Sequence, residues 1–294
     1  MTGRTGLRSR LRGLLLGAAL LGGAGSCAAA PDTLITWAVR DMAPFNIMEG
    51  PLKGQGIADR MLGLLQQRLP QYRHVNSRVN RARANQMFAR DPLTCDAGVL
   101  KTPEREHLMY FSIPTLGVVT NGVVVRRELE GEIQPYLKDG RIDLAAFLAD
   151  PRQRLGVLVE RSYGPLIDAT LHAAAPERLL VHHGNNALGS LLQMQQHGRI
   201  SALLGYWPEV RYLAETDGVD VSDLRFHPVQ GMPSYLLAYV GCSKTPEGKK
   251  AIEAINEVIR ELRGEELIQL YARWLDGPTR EAYLQDAKGF FEKD

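Results

Sequence analysis

The sequence predicts an α/β protein built from two halves of similar plan. Three observations carry that expectation. Short β-prone runs alternate with amphipathic helices, the pattern of parallel sheets with helices on their faces. The alternation starts near residue 34 and starts again near residue 155. No long low-complexity linker interrupts the 294 residues, a length that suits one or two domains and a sizeable core.

In the first half, Leu34-Ile35-Thr36-Trp37-Ala38-Val39 is a compact β-prone run. The loop Arg40-Asp41-Met42-Ala43-Pro44-Phe45 closes it at a proline. Residues 57–69 predict a helix, because Ile57, Met61, Leu64, Leu65 and Leu69 recur at helical spacing before Pro70. A strand over 72–79, a short helix over 82–89 and a strand over 95–100 follow. Residues 109–112 begin another strand, and 117–126 form a long Val-rich extended run. Residues 128–141 read as loop, broken by Gly131, Pro135 and Gly140.

The second half opens with a helix over 142–148. Strands are expected over 155–159, 179–182 and 200–204, with helices over 164–174 and 187–197 between them. After Pro233, residues 234–240 predict a strand. Thr245 and Pro246 then open a helix as its cap and first residue, with Ile252, Ile255, Ile259 and Leu262 as its apolar stripe. Gly264 separates it from a last helix over 265–275, whose Leu267, Leu270, Tyr271 and Trp274 are expected in the core.

Charge is unevenly placed. The chain has 35 basic and 33 acidic residues, and residues 1–30 carry Arg4, Arg8, Arg10 and Arg12 with no acid. Beyond them the balance is 31 against 33, which argues against a nucleic-acid partner. A basic start to residue 12, an uncharged stretch over 13–25 and small residues over 26–30 give the order of a secretory signal peptide. The apolar stretch falls short of the roughly 20 residues of a membrane span. Ala28-Ala29-Ala30 fits the small-residue cleavage rule, while Ala24-Gly25-Ser26-Cys27 resembles a lipobox. Cys27 is therefore either cut away or lipidated. Cys95 and Cys242 remain, and in an oxidising compartment they are either two separate buried thiols or a disulfide.

Four segments, in order, resemble the type II periplasmic solute-binding proteins of family 3, the amino-acid-binding group. The first is residues 37–45 followed by Gly54-Gln55-Gly56-Ile57-Ala58-Asp59. The second is Thr102-Pro103-Glu104-Arg105 with Phe111-Ser112-Ile113-Pro114. The third is Leu155-Gly156-Val157-Leu158-Val159-Glu160-Arg161-Ser162-Tyr163. The fourth runs from Ser243-Lys244-Thr245-Pro246-Glu247-Gly248 to Trp274. The match is closest to a subgroup that pairs a Cys before the third strand with Cys-Ser-Lys-Thr-Pro at the return crossing.

The resemblance implies a two-lobed type II periplasmic binding fold with two crossing hinge strands, near 118–125 and 231–239. A signal peptide would cover 1–30, lobe one 31–118 and 238–294, and lobe two 119–237. The return strand would run antiparallel beside the third strand of lobe one, which implies a Cys95–Cys242 bridge. The implied protein is a periplasmic monomer that closes on one small-molecule ligand and delivers it to an ABC permease. The alternatives are a freestanding sensory binding protein acting on a membrane signalling partner, and a dehydratase-like enzyme on the same scaffold. Non-enzymatic function is expected, because the sequence holds no Gly-x-Ser-x-Gly elbow, P-loop or His-Glu-x-x-His. No cofactor or metal is expected either, and no fused domain after residue 294.

The resemblance places the ligand contacts. Arg105, the Arg of Thr102-x-x-Arg, would clamp a carboxylate with its planar fork; the alternative is a surface pair with Glu104, Glu106 or Asp41. Ser162 and Tyr163 would offer donors at a helix start, and Ser162 is equally a plain N-cap. Arg81 opens a helix toward the cleft. Asp41, Met42 and Phe45 lie in the loop that forms the cleft wall, Phe45 being otherwise core. Amino-acid binders place a Ser or Thr where Leu100 stands, and an acid for the ammonium group where Leu203-Leu204-Gly205-Tyr206-Trp207 has none. Tyr206 and Trp207 would stack on a ring or apolar group instead. A small anionic ligand, with or without an aromatic ring, is therefore expected rather than a standard amino acid.

Overall fold

The computed structural model describes residues 33–159, 161–184 and 186–291; the signal-peptide and lipobox readings lie outside them. The first elements are β1 (Leu34–Val39), α1 (Ile57–Arg68), β2 (Arg73–Arg78), α2 (Arg81–Arg90), β3 (Thr94–Leu100), α3 (Pro103–Glu106), β4 (Met109–Phe111) and β5 (Leu116–Val119). Next come β6 (Gly122–Arg126), α4 (Glu130–Ile133), β7 (Leu137–Lys138), β8 (Arg141–Ile142), α5 (Leu144–Ala149), β9 (Leu155–Leu158), α6 (Pro165–Ala173) and β10 (Leu179–His182). The remainder are α7 (Ala187–Gln196), β11 (Ala202–Gly205), α8 (Trp207–Thr216), β12 (Leu224–Pro228), β13 (Tyr235–Ser243), α9 (Pro246–Leu262), α10 (Glu266–Ala272) and α11 (Gly277–Asp286).

Two sheets organise these elements. The first has the order β2-β1-β3-β13-β4, with β5 also paired to β13. The second has the order β10-β9-β11-β6-β12. The three strands on one side of each sheet are parallel to one another, as the β-α alternation requires. The chain crosses between the sheets twice: from β5 to β6 through Thr120 and Asn121, and from β12 to β13. The extended run expected over 117–126 is thus two strands, interrupted where the backbone changes sheet. Thr120 and Asn121 are 1% and 0% exposed there.

Apolar periodicity explains the layers. Ile57, Met61 and Leu65 of α1 join Ile252, Ile255 and Ile259 of α9 and Leu267 and Tyr271 of α10 in one core on the first sheet. Thr245 caps α9 by accepting from the Gly248 amide at 3.0 Å. Separate clusters cover the two faces of the second sheet, one holding Phe147 and Ile167, the other Leu188, Leu191 and Leu192. β13 lies antiparallel to β3 with Cys242 opposite Cys95, and the two sulfurs are bonded.

Three stretches differ from the sequence expectation. Residues 128–141 hold short helical turns and the hairpin β7–β8. Asp139 and Gly140 both adopt positive φ, at 52° and 72°, the requirement of a two-residue type I′ turn. Gly140 is thus a hairpin turn and not merely a break. α8 and β12 were not anticipated because their patterns are weak: only Pro208, Glu209, Val210 and Ala214 of α8 are buried, and β12 is an edge strand that ends in proline. α11 is polar along most of its length, and Tyr283 anchors it to the core. Among the described residues no helix is long and apolar enough to cross a membrane.

Candidate functional site

The strand ends of the two sheets carry the candidate site. β1 leads to Arg40, β2 to Arg81 at the start of α2, and β3 to Leu100 and then Arg105 on α3. From the second sheet, β9 leads to Arg161 and Ser162, and β11 to Tyr206. Loops beyond the carboxyl ends of parallel strands form the usual ligand crevice of such sheets. These seven residues, with Met42, Gly98 and Val99, line one cavity of about 40 Å³. That is room for a few water molecules.

Four guanidinium groups surround this small space, and two of them are neutralised. Arg40 donates to Asp96 through Nη2 at 2.8 Å and Nε at 3.1 Å. Arg161 meets Glu209 fork to fork, at 2.5 and 3.0 Å. The Arg161 guanidinium also lies 5.0 Å from the Tyr206 ring centre and 5.5 Å from that of Tyr163, within cation–π range of both. Burial pushes the Tyr163 hydroxyl up to about 12 and raises that of Tyr206 as well. Both phenols are therefore protonated at neutral pH.

The other two are not neutralised. Arg105 donates Nη1 to the Leu100 carbonyl at 2.8 Å and meets no carboxylate among the described residues. Arg81 has neither a hydrogen-bond nor an ion-pair partner among the described residues. Burial, and then the charges of Arg40, Arg105 and Arg161, hold the Arg81 guanidinium well below the usual arginine range. Burial lowers Arg105 too, assisted by Arg40 and opposed by Asp96, Tyr206 and Asp168. An arginine still keeps its proton at neutral pH. Among the described residues, none that lines the cavity is acidic.

Local structure fixes these side chains. Asn80 caps α2 by accepting from the Arg83 amide at 2.8 Å, which sets Arg81 as the first helical residue. Thr102 caps α3 by accepting from the Arg105 amide at 3.4 Å. The Asp59 carboxylate accepts from Ile47 N at 2.8 Å, Gly56 N at 3.1 Å and Asn46 Nδ2 at 2.9 Å, tying the loop that carries Met42 to α1. Gly56 is required there, since a Cβ would stand 2.4 Å from the Phe45 carbonyl oxygen.

Of the residues expected from sequence, Arg81, Arg105, Ser162, Met42 and Tyr206 come together at the cavity. The rest do not line it. Asp41 pairs with Arg78 at 2.8 Å; burial raises its carboxyl, and Arg78 opposes that. Phe45 is core, its ring 5.5 Å from that of Tyr206 and 6.2 Å from that of Tyr271. Tyr163 is 1% exposed, and its hydroxyl accepts from Leu158 N at 2.7 Å. Thr102 acts through its cap. Trp207 does not stack in the site: its ring lies 5.7 Å from that of Phe226, and its Nε1 donates to Asp276 at 3.2 Å. Ser162 is not the N-cap of α6, a position held by Gly164; its hydroxyl donates to Asp168 at 2.6 Å. Arg40 and Arg161 were not anticipated. The available signal was a basic residue just past a strand that runs into the crevice.

No family model matches the chain, and no curated protein matches it in sequence. Solved structures match in fold. An ancestral arginine-binding protein bound to arginine aligns with a TM-score of 0.60 at 12% identity, over 83% of this chain and 98% of that one. A structure described for glutathione import via GshT and the cystine ABC importer TcyBC of Streptococcus mutans aligns with a TM-score of 0.63 at 14% identity, over 85% and 99%. The two-sheet architecture with its double crossing decides the matter. The chain has the type II periplasmic binding fold. A double mutant of the BvgS VFT2 domain of Bordetella pertussis shares this fold as well, with a TM-score of 0.59 at 18% identity over 82% and 93%. In the type II fold the crevice lies between the lobes, where Arg40, Arg81 and Arg105 approach from the first sheet and Arg161, Ser162 and Tyr206 from the second.

Proposed function

We propose that this protein is an exported solute-binding protein that closes around one small anionic ligand and delivers it to an ABC permease. The observation that carries the reading is a cavity between the two sheets lined, among the described residues, by four arginines and by no acid. Arg105 keeps most of its donors for a ligand, and a planar fork suits a carboxylate or similar oxygen pair. In this reading the hinge opens for loading and closes over the ligand. Closure is stabilised when the ligand touches both lobes only in the shut state. The lobe boundaries near residues 118 and 238 and the export signal over 1–30 belong to the same proposal. Likeness to the fold of solute-binding proteins supports a non-enzymatic, periplasmic role.

The likeness to a BvgS sensor domain favours a second reading, in which the protein reports its ligand to a membrane signalling partner. A thermal-shift screen against amino acids, dipeptides, organic acids and aromatic acids tests the proposal. A ligand at 100 times its dissociation constant adds about 2.7 kcal/mol. Stabilisation by anionic compounds that are not amino acids is expected. Stabilisation by a standard amino acid alone contradicts the anionic reading, and no response from any class moves the weight to recognition of a protein partner.

A further inference from the structure

We propose that the ligand is a dianion with no ammonium group, its two negative charges answered by Arg105 and Arg81; the inference rests on the solute-binding reading above. The charge count leads to it. Asp96 answers Arg40, and Glu209 answers Arg161. Arg81 and Arg105 are left facing the cavity with no contacting carboxylate among the described residues. A charge withdrawn from water is costly until something pairs with it. A ligand with two negative charges satisfies both forks, whereas a single monoanionic carboxylate leaves one arginine unanswered.

The position of Arg81 points the same way. It is the first residue of a ten-residue helix whose first turn contains no acid. A helix N-terminus carries partial positive charge and disfavours a cation. Arg81 therefore breaks a local rule and, in this structure, gains no bond in return. Local rules are broken in this manner at functional sites. The same helix end is favourable once an anion is seated against it.

Among the described residues an ammonium group has no host, because each acid near the cavity is already engaged: Asp96 also accepts from Gly98 N at 2.9 Å, and Asp168 accepts from Ser162 Oγ and from Tyr163 N at 2.8 Å. Asp168 reaches Arg105 only through its field. A ligand ammonium would meet two unneutralised guanidinium groups instead. The chemistry fits either a short dicarboxylate or a compact tetrahedral dianion such as inorganic phosphate.

Calorimetry on the full protein tests this with succinate, monomethyl succinate, L-aspartate, L-arginine and inorganic phosphate. Succinate or phosphate is expected to bind, and which of them does identifies the dianion. Monomethyl succinate and L-aspartate are expected to bind at least about 100-fold more weakly than succinate if the dicarboxylate is the ligand. Arg81→Gln should abolish the preference for succinate over its monoester, or weaken phosphate to a similar degree. Arg81→Lys, which keeps the charge without the fork, should retain part of it. A second readout needs no ligand: Arg81→Gln should not lower the Tm of the empty protein, because the Arg81 guanidinium makes no hydrogen bond or ion pair among the described residues. A fall in that Tm, or a monoester bound as tightly as the diacid, overturns the inference. Binding of aspartate or arginine without either dianion also overturns it and leaves the solute-binding reading intact. Silence from all five probes counts against that reading itself.

Discussion

Arg161 and Glu209 face each other fork to fork, both side chains 4% exposed, at the edge of a cavity that holds three further arginines. The pairing sets apart a cation that supports the site from cations that are available to a ligand. Breaking one side of such a buried pair leaves an uncompensated charge, which costs about 3–5 kcal/mol. Glu209→Gln should lose stability on that scale in urea unfolding. A loss below about 1 kcal/mol would show that water reaches the Arg161 guanidinium.

Cys95 and Cys242 close a loop with a sequence separation of 147. In the chain-entropy model a bridge over a loop of that size adds about 5 kcal/mol, an upper estimate. The paired Cys95→Ala and Cys242→Ala substitutions should therefore lower the denaturation midpoint substantially. Reducing agent should lower it in the parent protein and leave the double variant unmoved. An equal response in both would place the effect elsewhere.

His227 gives the protein a pH dependence of known sign. The ring is 8% exposed; burial lowers its pKa, while a hydrogen bond to Gly140 and the charge of Glu130 oppose that. Below about pH 6.5 an unfolded histidine gains its proton first, so the unfolded chain binds more protons and stability falls with falling pH. The contribution is fully present above that range. Urea midpoints at about pH 7.5 and 5.5 should therefore differ less in His227→Gln than in the parent. Equal differences would exclude His227 as the source.

Trp207 supports the fold rather than the ligand. Its contacts are the Phe226 ring and the Asp276 carboxylate. Trp207→Phe should leave ligand affinity within about twofold, and lose about 1 kcal/mol of stability with its hydrogen bond. A tenfold loss of affinity in calorimetry would restore Trp207 to the site.

How much of this could be read from the sequence depended on the strength of each local signal. The helix α9, with its Thr245 cap and isoleucine stripe, and the strands β1 and β3 were legible because pattern and cap agree. α8, β12 and α11 were not, because few of their side chains reach the core. Arg81, Arg105 and Tyr206 could be placed from the segments around them. Arg161 could not, because its partner Glu209 is 48 residues away on an unanticipated helix. The same unanticipated helix places Trp207 against Phe226 and Asp276 and not at the cavity.

The central claim is that Arg105 holds an anionic group of the ligand, and calorimetry on Arg105→Ala tests it most directly. Among the described residues the guanidinium forms no salt bridge and donates one hydrogen bond, to the Leu100 carbonyl. Removing it should cost no more than about 1.5 kcal/mol of stability. The account predicts that Arg105→Ala binds the ligand found in the screen too weakly to measure, with Tm nearly unchanged. Parent-like affinity in a folded Arg105→Ala protein would contradict it.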